Sequence, residues 1–288
     1  MIKGETMLKK VLFIILGTIL LGIIIVVGVT VYYGYNQVPV LSYHDFYVDD
    51  GTARDYDPFS MDIDIFREQM QYLKDNGYKT LTADEFYCWQ KRECKIPRKS
   101  VVITFDDGYQ SNYDLAFPIM KELGLNGIVF IIGKAAEDAS INERDGIKGA
   151  YMSLETLEKM KEDFPNIEIG GHSYDFHSYA RIMAATKEEL TWDLDKFHML
   201  MDARYFAYPQ GAYKSEYIEA LKEKDYKLAF GFGRDNESRK KAFRKSMRSD
   251  NNYLIPRYHI HDGISISKFK KLISLPNIKE MSIWPSGD

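Results

Sequence analysis

Apolar positions along the chain change their period several times, and each change marks an element. Residues 11–33 form a run of 23 positions with no charge, nearly all of them apolar. At a helical rise of ~1.5 Å per residue, about 20 such residues cross the hydrocarbon core of a bilayer. The run is longer than the roughly 7–15 residues of a signal-peptide core, and no small-x-small cleavage site follows it. Lys9 and Lys10 precede it directly, whereas the first charge after it is Asp45. The positive-inside rule then puts residues 1–10 in the cytoplasm, 11–33 in the membrane as a signal anchor, and 34–288 on the extracytoplasmic side. A long cleaved signal sequence is the alternative, and it exports the remainder equally.

Downstream, short β-type runs alternate with helical patterns. Residues 38–43, 79–82, 101–105, 128–132, 167–170, 204–208, 227–232 and 256–260 read as strands. Residues 62–74 read as a helix, with Phe66, Met70 and Leu73 on one face and Gly77 just beyond its end. Residues 112–123 read as another, stopped at Gly124 but interrupted by Pro118. Ser153 caps a helix bearing Leu154, Leu157 and Met160, and residues 267–273 close the series. Thr186 and Glu189 form a capping box before Leu190, Leu194, Phe197 and Met201. Such alternation implies an α/β fold of parallel strands covered by helices, either a closed barrel or an open sheet. With no internal repeat and no low-complexity linker, the exported part reads as one domain behind a short stalk at residues 32–37. Residues 234–252 are polar and carry Arg239, Lys240, Lys241, Arg244, Lys245 and Arg248. They read as a solvated loop, with a contact to an anionic wall polymer as the second reading.

Composition narrows the classes. The chain has 288 residues, 45% hydrophobic and 28% charged, which excludes a disordered polypeptide. Its formal net charge of −4 argues against a nucleic-acid partner held by bulk positive charge. Two cysteines are too few for a disulfide framework or a four-cysteine zinc site. Cys88 and Cys94 lie six positions apart with no histidine or third cysteine nearby, so a metal site there is disfavoured. Outside the cytoplasm a disulfide closing this short loop is allowed. Two free thiols are the other reading.

Chemistry-bearing residues gather at strand ends, where parallel α/β domains place their sites. The first group is Thr104-Phe105-Asp106-Asp107-Gly108-Tyr109. Two adjacent carboxylates after an apolar strand are costly unless a cation or hydrogen bonds hold them. The second is Gly170-Gly171-His172-Ser173-Tyr174-Asp175-Phe176-His177, where two imidazoles follow a paired glycine. Together with one Asp they make a His-His-Asp set, which leaves room on a zinc ion for water and substrate. The third is Phe206-Ala207-Tyr208-Pro209-Gln210-Gly211, a turn able to aim a backbone N–H into a cleft.

In this order and spacing, the three segments resemble the polysaccharide deacetylases of carbohydrate esterase family 4. The opening Val38-Pro39-Val40-Leu41-Ser42-Tyr43-His44-Asp45 and the stretch from Phe66 to Leu81 are similar to the branch that contains the poly-N-acetylglucosamine deacetylases. The likeness runs over about residues 38–275. It implies a distorted, incomplete (β/α) barrel with Asp106 as general base. Asp107, His172 and His177 would be ligands of one divalent metal ion, taken as Zn2+, and the Gln210 N–H would be an oxyanion donor. The implied reaction is hydrolysis of acetamido groups on a hexosamine polymer, giving amine and acetate. An amide carbonyl is a poor electrophile, so polarisation by the ion, a base for water and an acid for the leaving amine are all needed.

Two positions depart from the family pattern. Ala207 stands where an arginine is usual, which leaves open how Asp106 is oriented, and Gln210 stands where a tyrosine follows the proline. The general acid is usually a histidine near the last strand. His259 and His261 fall on one face there, and His261, followed by Asp262, is preferred. His44 is assigned a structural hydrogen bond and His198 no role. Tyr109, Tyr208 and Tyr213 are candidates for stacking on sugar rings. The expected protein is a membrane-anchored, metal-dependent N-deacetylase of a GlcNAc-containing wall or exopolysaccharide glycan. An O-acetyl esterase on the same scaffold and a non-catalytic glycan binder are the rivals.

Overall fold

The uncharged N-terminal run forms one helix, α1 (Ile2–Asn36), in the computed structural model, which describes residues 2–52, 57–145, 149–232, 245–248 and 250–274. Its stretch Lys10–Val29 has a mean hydropathy of 3.1 and is long and apolar enough to cross a membrane. Val38–Ser274 is a compact unit of its own.

That unit is built on strands β1 (Val40–Tyr43), β2 (Asp45–Tyr47), β3 (Ser60–Asp62), β4 (Lys79–Thr80), β5 (Ser100–Phe105), β6 (Gly127–Ile131), β7 (Ile167–Gly171), β8 (Tyr205–Ala207), β9 (Leu228–Phe230) and β10 (Tyr258–His259). The main sheet has eight parallel strands in the order β9-β8-β7-β6-β5-β1-β10, with β4 paired on β5, while β2 and β3 pair separately. All six residues of β5 are buried, as a central parallel strand covered on both faces requires. The sheet curls until its ends meet. Phe230 bridges Ile255, just before β10, and the Gly231 N–H donates to the Ile255 carbonyl at 2.8 Å. The result is the distorted (β/α) barrel expected from the sequence.

Alternation along the strands separates two cores. Leu41, Ile103 and Phe105 face outward and pack with Phe66, Met70 and Phe117. Val40, Val102, Ile128, Phe130, Ala207 and Phe230 face inward, and Phe86 and Trp89 close this interior. Those two rings belong to α3 (Ala83–Gln90), which follows α2 (Ile63–Asp75). The capping box of Thr82 and Glu85 starts α3, so the expected strand 79–82 stops at Thr80. The outer layer continues with α4 (Phe117–Leu123), α5 (Gly133–Arg144), α6 (Leu154–Asp163), α7 (Tyr179–Ala184), α8 (Lys187–Leu200), α9 (Ser215–Glu223) and α10 (Ile266–Ile273).

The expected helix at 112–123 is in fact two pieces. Asn112–Ala116 is a π-helical turn, and Pro118 falls in the first turn of α4, where its missing N–H has no partner to lose. Cys88 and Cys94 are bonded, with Cα atoms 5.5 Å apart. The loop at 234–252 is corrected in part. Lys245 is buried and donates to the Ser274 carbonyl, and Arg248 donates to the carbonyls of Trp89 and Cys94 at 2.7 and 3.0 Å. Both anchor the chain rather than face solvent, while Arg239, Lys240, Lys241 and Arg244 lie outside the described residues.

Candidate active site

The carboxylates of Asp106 and Asp107 reach one cleft because the backbone breaks its alternation between them. The Asp106 N–H donates to the Tyr43 carbonyl at 2.9 Å, which extends the β1–β5 ladder by one residue and keeps Asp106 on the inward face with Val102 and Thr104. Asp107 then takes φ 71° and Gly108 φ 79°. A left-handed non-glycine residue costs on the order of 1–3 kcal/mol, and such strain concentrates at functional sites. Gly108 suits this turn because a side chain would be strained at φ 79°.

Asp106 is 2% exposed and is held by Arg257, which is 0% exposed. Arg257 Nη1 donates to Oδ1 at 2.7 Å and Nη2 to Oδ2 at 2.8 Å. The guanidinium is itself fixed by Thr104 Oγ1 at 3.1 Å and the Gly231 carbonyl at 3.0 Å. Burial by itself would raise the Asp106 carboxyl, but Arg257, His172 and His44 outweigh it and hold the group below its ordinary value. Asp106 is therefore ionised at neutral pH despite having almost no contact with solvent.

β7 delivers the imidazoles. The His172 N–H donates to the Ile131 carbonyl at 2.8 Å, continuing the pairing with β6. His172 Nδ1 lies 2.8 Å from the Ala207 carbonyl, which can only accept. Nδ1 must therefore carry the proton, which leaves the Nε2 lone pair for the cleft. That Nε2 is 3.3 Å from Asp107 Oδ1, and His177 Nε2 is 2.9 Å from the same oxygen. The ligand-capable atoms of Asp107, His172 and His177 all lie within 4.8 Å of one another. One carboxylate and two imidazoles, with one tautomer already fixed by a carbonyl, fit a divalent metal ion. The Asp107 carboxyl would rise through burial, but the His172 and His177 rings beside it hold it well below the ordinary range.

The loop between the two histidines is tied down from α8. Buried Asp193 accepts the N–H groups of Tyr174 and Asp175, both at 2.8 Å, and of Phe176 at 3.1 Å. Gln210, at φ 53°, reaches back to the same region. Its Oε1 accepts the Tyr179 N–H at 3.2 Å and its Nε2 donates to the His177 carbonyl at 3.5 Å.

The other expected residues are placed unevenly. Tyr109 is half-buried, stacked on Tyr151 with centroids 5.1 Å apart, and its hydroxyl is pushed upward by burial and then by the Asp107 charge. It therefore borders the site. Tyr208 does not: it is 0% exposed, packed against Phe206 and Tyr217, with no face left for a sugar. Tyr213 is 38% exposed. His198 stacks on Tyr226, away from the cleft. His261 is separated from Asp106 by His259 and His44, ring centroids stepping 5.2 and 5.3 Å. Asp262 does not orient it, because its carboxylate accepts from Tyr47 Oη at 2.6 Å and the Asp62 N–H at 2.7 Å.

Two residues of the site, Arg257 and Asp193, were not assigned from sequence, and His44 was given only a structural hydrogen bond. His44 Nε2 comes within 3.8 Å of Asp106 Oδ2, and its Nδ1 is buried without a partner among the described residues. Its position directly after an apolar strand was the available signal. Arg257 and Asp193 gave none, since both are single charged residues whose importance appears only once distant elements are folded together.

Comparison with known proteins agrees with this geometry. Residues 94–229 match the family model described as polysaccharide deacetylase. The chain is 29% identical to the YxkH protein of Bacillus subtilis (strain 168) over 199 residues, which cover 67% of this chain and 63% of that one. It is 25% identical over 250 residues to the poly-beta-1,6-N-acetyl-D-glucosamine N-deacetylase of Staphylococcus aureus (strain MSSA476), covering 80% and 81% of the two chains. The fold is shared with the Streptococcus pyogenes deacetylase PplD in complex with acetate, at a TM-score of 0.67 and 22% identity over 83% of this chain and 98% of that one. Over residues 94–229, about the central half of the chain, it is similar to the polysaccharide deacetylases.

Proposed function

We propose that this enzyme is a metal-dependent N-deacetylase of a polymer containing N-acetylglucosamine, held at the outer membrane surface by α1. The observation that carries the reading is the pairing of two differently held carboxylates. Asp106 is clasped by a guanidinium and kept for proton transfer, while its neighbour Asp107 is shared by two imidazoles. Asp107, His172 and His177 would hold the cation, with zinc the ion best suited to that donor set. When bound, such a cation polarises the acetyl carbonyl and lowers the pKa of water.

The chain's own residues supply the rest. Asp106 takes the proton of the attacking water. His44 is placed to pass a proton to the departing amine, since Nε2 faces Asp106 and Nδ1 has no partner among the described residues. His261 comes second for that role because two rings lie between it and the base. The Gln210 N–H is assigned to the oxyanion, and the Tyr109–Tyr151 stack to one wall of the cleft. The test is incubation of the full-length chain with acetylated glucosamine oligomers and with O-acetylated glycans, reading acetate and free amine together. Equal acetate and amine from the oligomers supports the reading. Acetate released only from the O-acetylated glycans makes the protein an esterase instead.

A further inference from the structure

Beside the base lies an aromatic wall for which the chemistry above has no use. Phe59, just before β3, sits 4.9 Å from the His44 ring and 5.3 Å from His259, and Phe232 sits 5.1 Å from His259. His44 in turn touches Asp106, so the wall begins one ring away from the reacting group. Phe59 remains 42% exposed although it packs on these neighbours. His259 Nε2 is buried with no hydrogen-bond partner among the described residues. A buried polar nitrogen left unpaired is costly, so a built site of this kind calls for a ligand group or water there.

The two features ask for different chemistry from one ligand. Exposed phenyl faces favour apolar C–H surface, while an orphan imidazole nitrogen needs a hydroxyl or amide. A purely apolar ligand leaves His259 unpaired, and a small anion leaves the rings uncovered. A pyranose offers both, with C–H bonds on its face and hydroxyls around its edge. Burial, followed by the neighbouring His44 and His261, pushes the His259 ring down to about 3, so it meets a hydroxyl as a neutral imidazole.

We propose that Phe59, Phe232 and His259 form a subsite for the sugar next to the one whose acetamido group is cut. This rests on the deacetylase reading above and makes the substrate an oligomer rather than a single sugar. Phe59 presents the stacking face, Phe232 backs it, and His259 holds a hydroxyl of the same ring.

The test is calorimetric binding of N-acetylglucosamine pentamers, β-1,4- and β-1,6-linked, to the full-length chain carrying Asp106→Asn, which prevents turnover. Adding Phe59→Ala is expected to weaken binding about tenfold, which equals about 1.4 kcal/mol. Phe59→Leu, which keeps bulk but removes the flat face, should weaken it similarly, and Phe59→Trp should retain it. Melting temperatures confirm that each variant is folded. Pentamer affinity within twofold of the parent in both Phe59→Ala and Phe59→Leu overturns the subsite, as does absence of pentamer binding to the parent. Acetate release by the wild-type chain is read separately. Phe59-dependent binding without acetate would sink the deacetylase reading and leave the subsite standing.

Discussion

Arg257 and Asp106 lie 151 positions apart in the chain and meet as a buried, two-pronged ion pair. Where relatives are expected to supply an arginine from the third motif, this chain has Ala207, whose carbonyl instead fixes His172. The guanidinium comes from the segment leading into β10, and the curl of the sheet carries it across the barrel interior.

Removing that clasp has two separable effects. Arg257→Lys keeps a charge but cannot match both carboxylate oxygens, and kcat should fall by about 10²-fold as the base loses its aim. Arg257→Gln also removes the charge, and the buried Asp106 carboxyl should then rise. The acidic limb of the kcat/KM profile moves upward in Arg257→Gln. An unmoved limb would show that Arg257 does not set the ionisation of the base.

The ion pair also leaves a mark on stability. Asp106 has a lower pKa in the folded protein than its ordinary value. Its stabilising contribution is therefore fully present above the unfolded value of about 3.9 and is lost as pH falls through the lower folded value. Melting temperature should decline below about pH 4 in the wild type and less steeply in Asp106→Asn, once the remaining carboxylates are allowed for by comparing the two curves.

Asp193 should behave as a support for the loop that carries His172 and His177. Asp193→Ala leaves three N–H groups, one of them buried, without their acceptor. Zinc affinity, measured by competition with a chromophoric chelator, should drop about 10–100-fold. Unchanged affinity would mean that the His172–His177 loop holds its shape without the carboxylate.

His44 and His261 can be told apart by the same assay. His44→Gln should lower kcat by about 10²–10⁴-fold, the usual worth of an acid or base in place. His261→Gln should lose less than tenfold, because its ring stands two removed from Asp106. The reverse ranking would return the acid role to His261.

Local signals in the sequence revealed the strand ends, three of the helix caps and the four residues brought together at the centre of the cleft. Thr104 to Tyr109 announced itself because charge follows directly on an apolar strand, and the Ser153 and Thr186 caps form as their spacing requires. What stayed hidden depends on long-range packing. α3 was missed because its apolar residues serve the barrel interior rather than one regular face. Tyr208 looked available at a strand end, yet α9 and Tyr253 cover it, its hydroxyl donating to the Tyr253 carbonyl at 3.1 Å. Asp262 looked like a partner of its neighbour but bonds to β2 and β3 instead.

The most direct measurement is zinc content and acetate release determined on the same samples of wild type, Asp106→Asn and His172→Ala. We expect about one equivalent of zinc in the first two, acetate matched by free amine only from the wild type, and neither metal nor turnover in His172→Ala. Full turnover by Asp106→Asn, or wild-type acetate release that survives complete removal of the metal, would contradict the account.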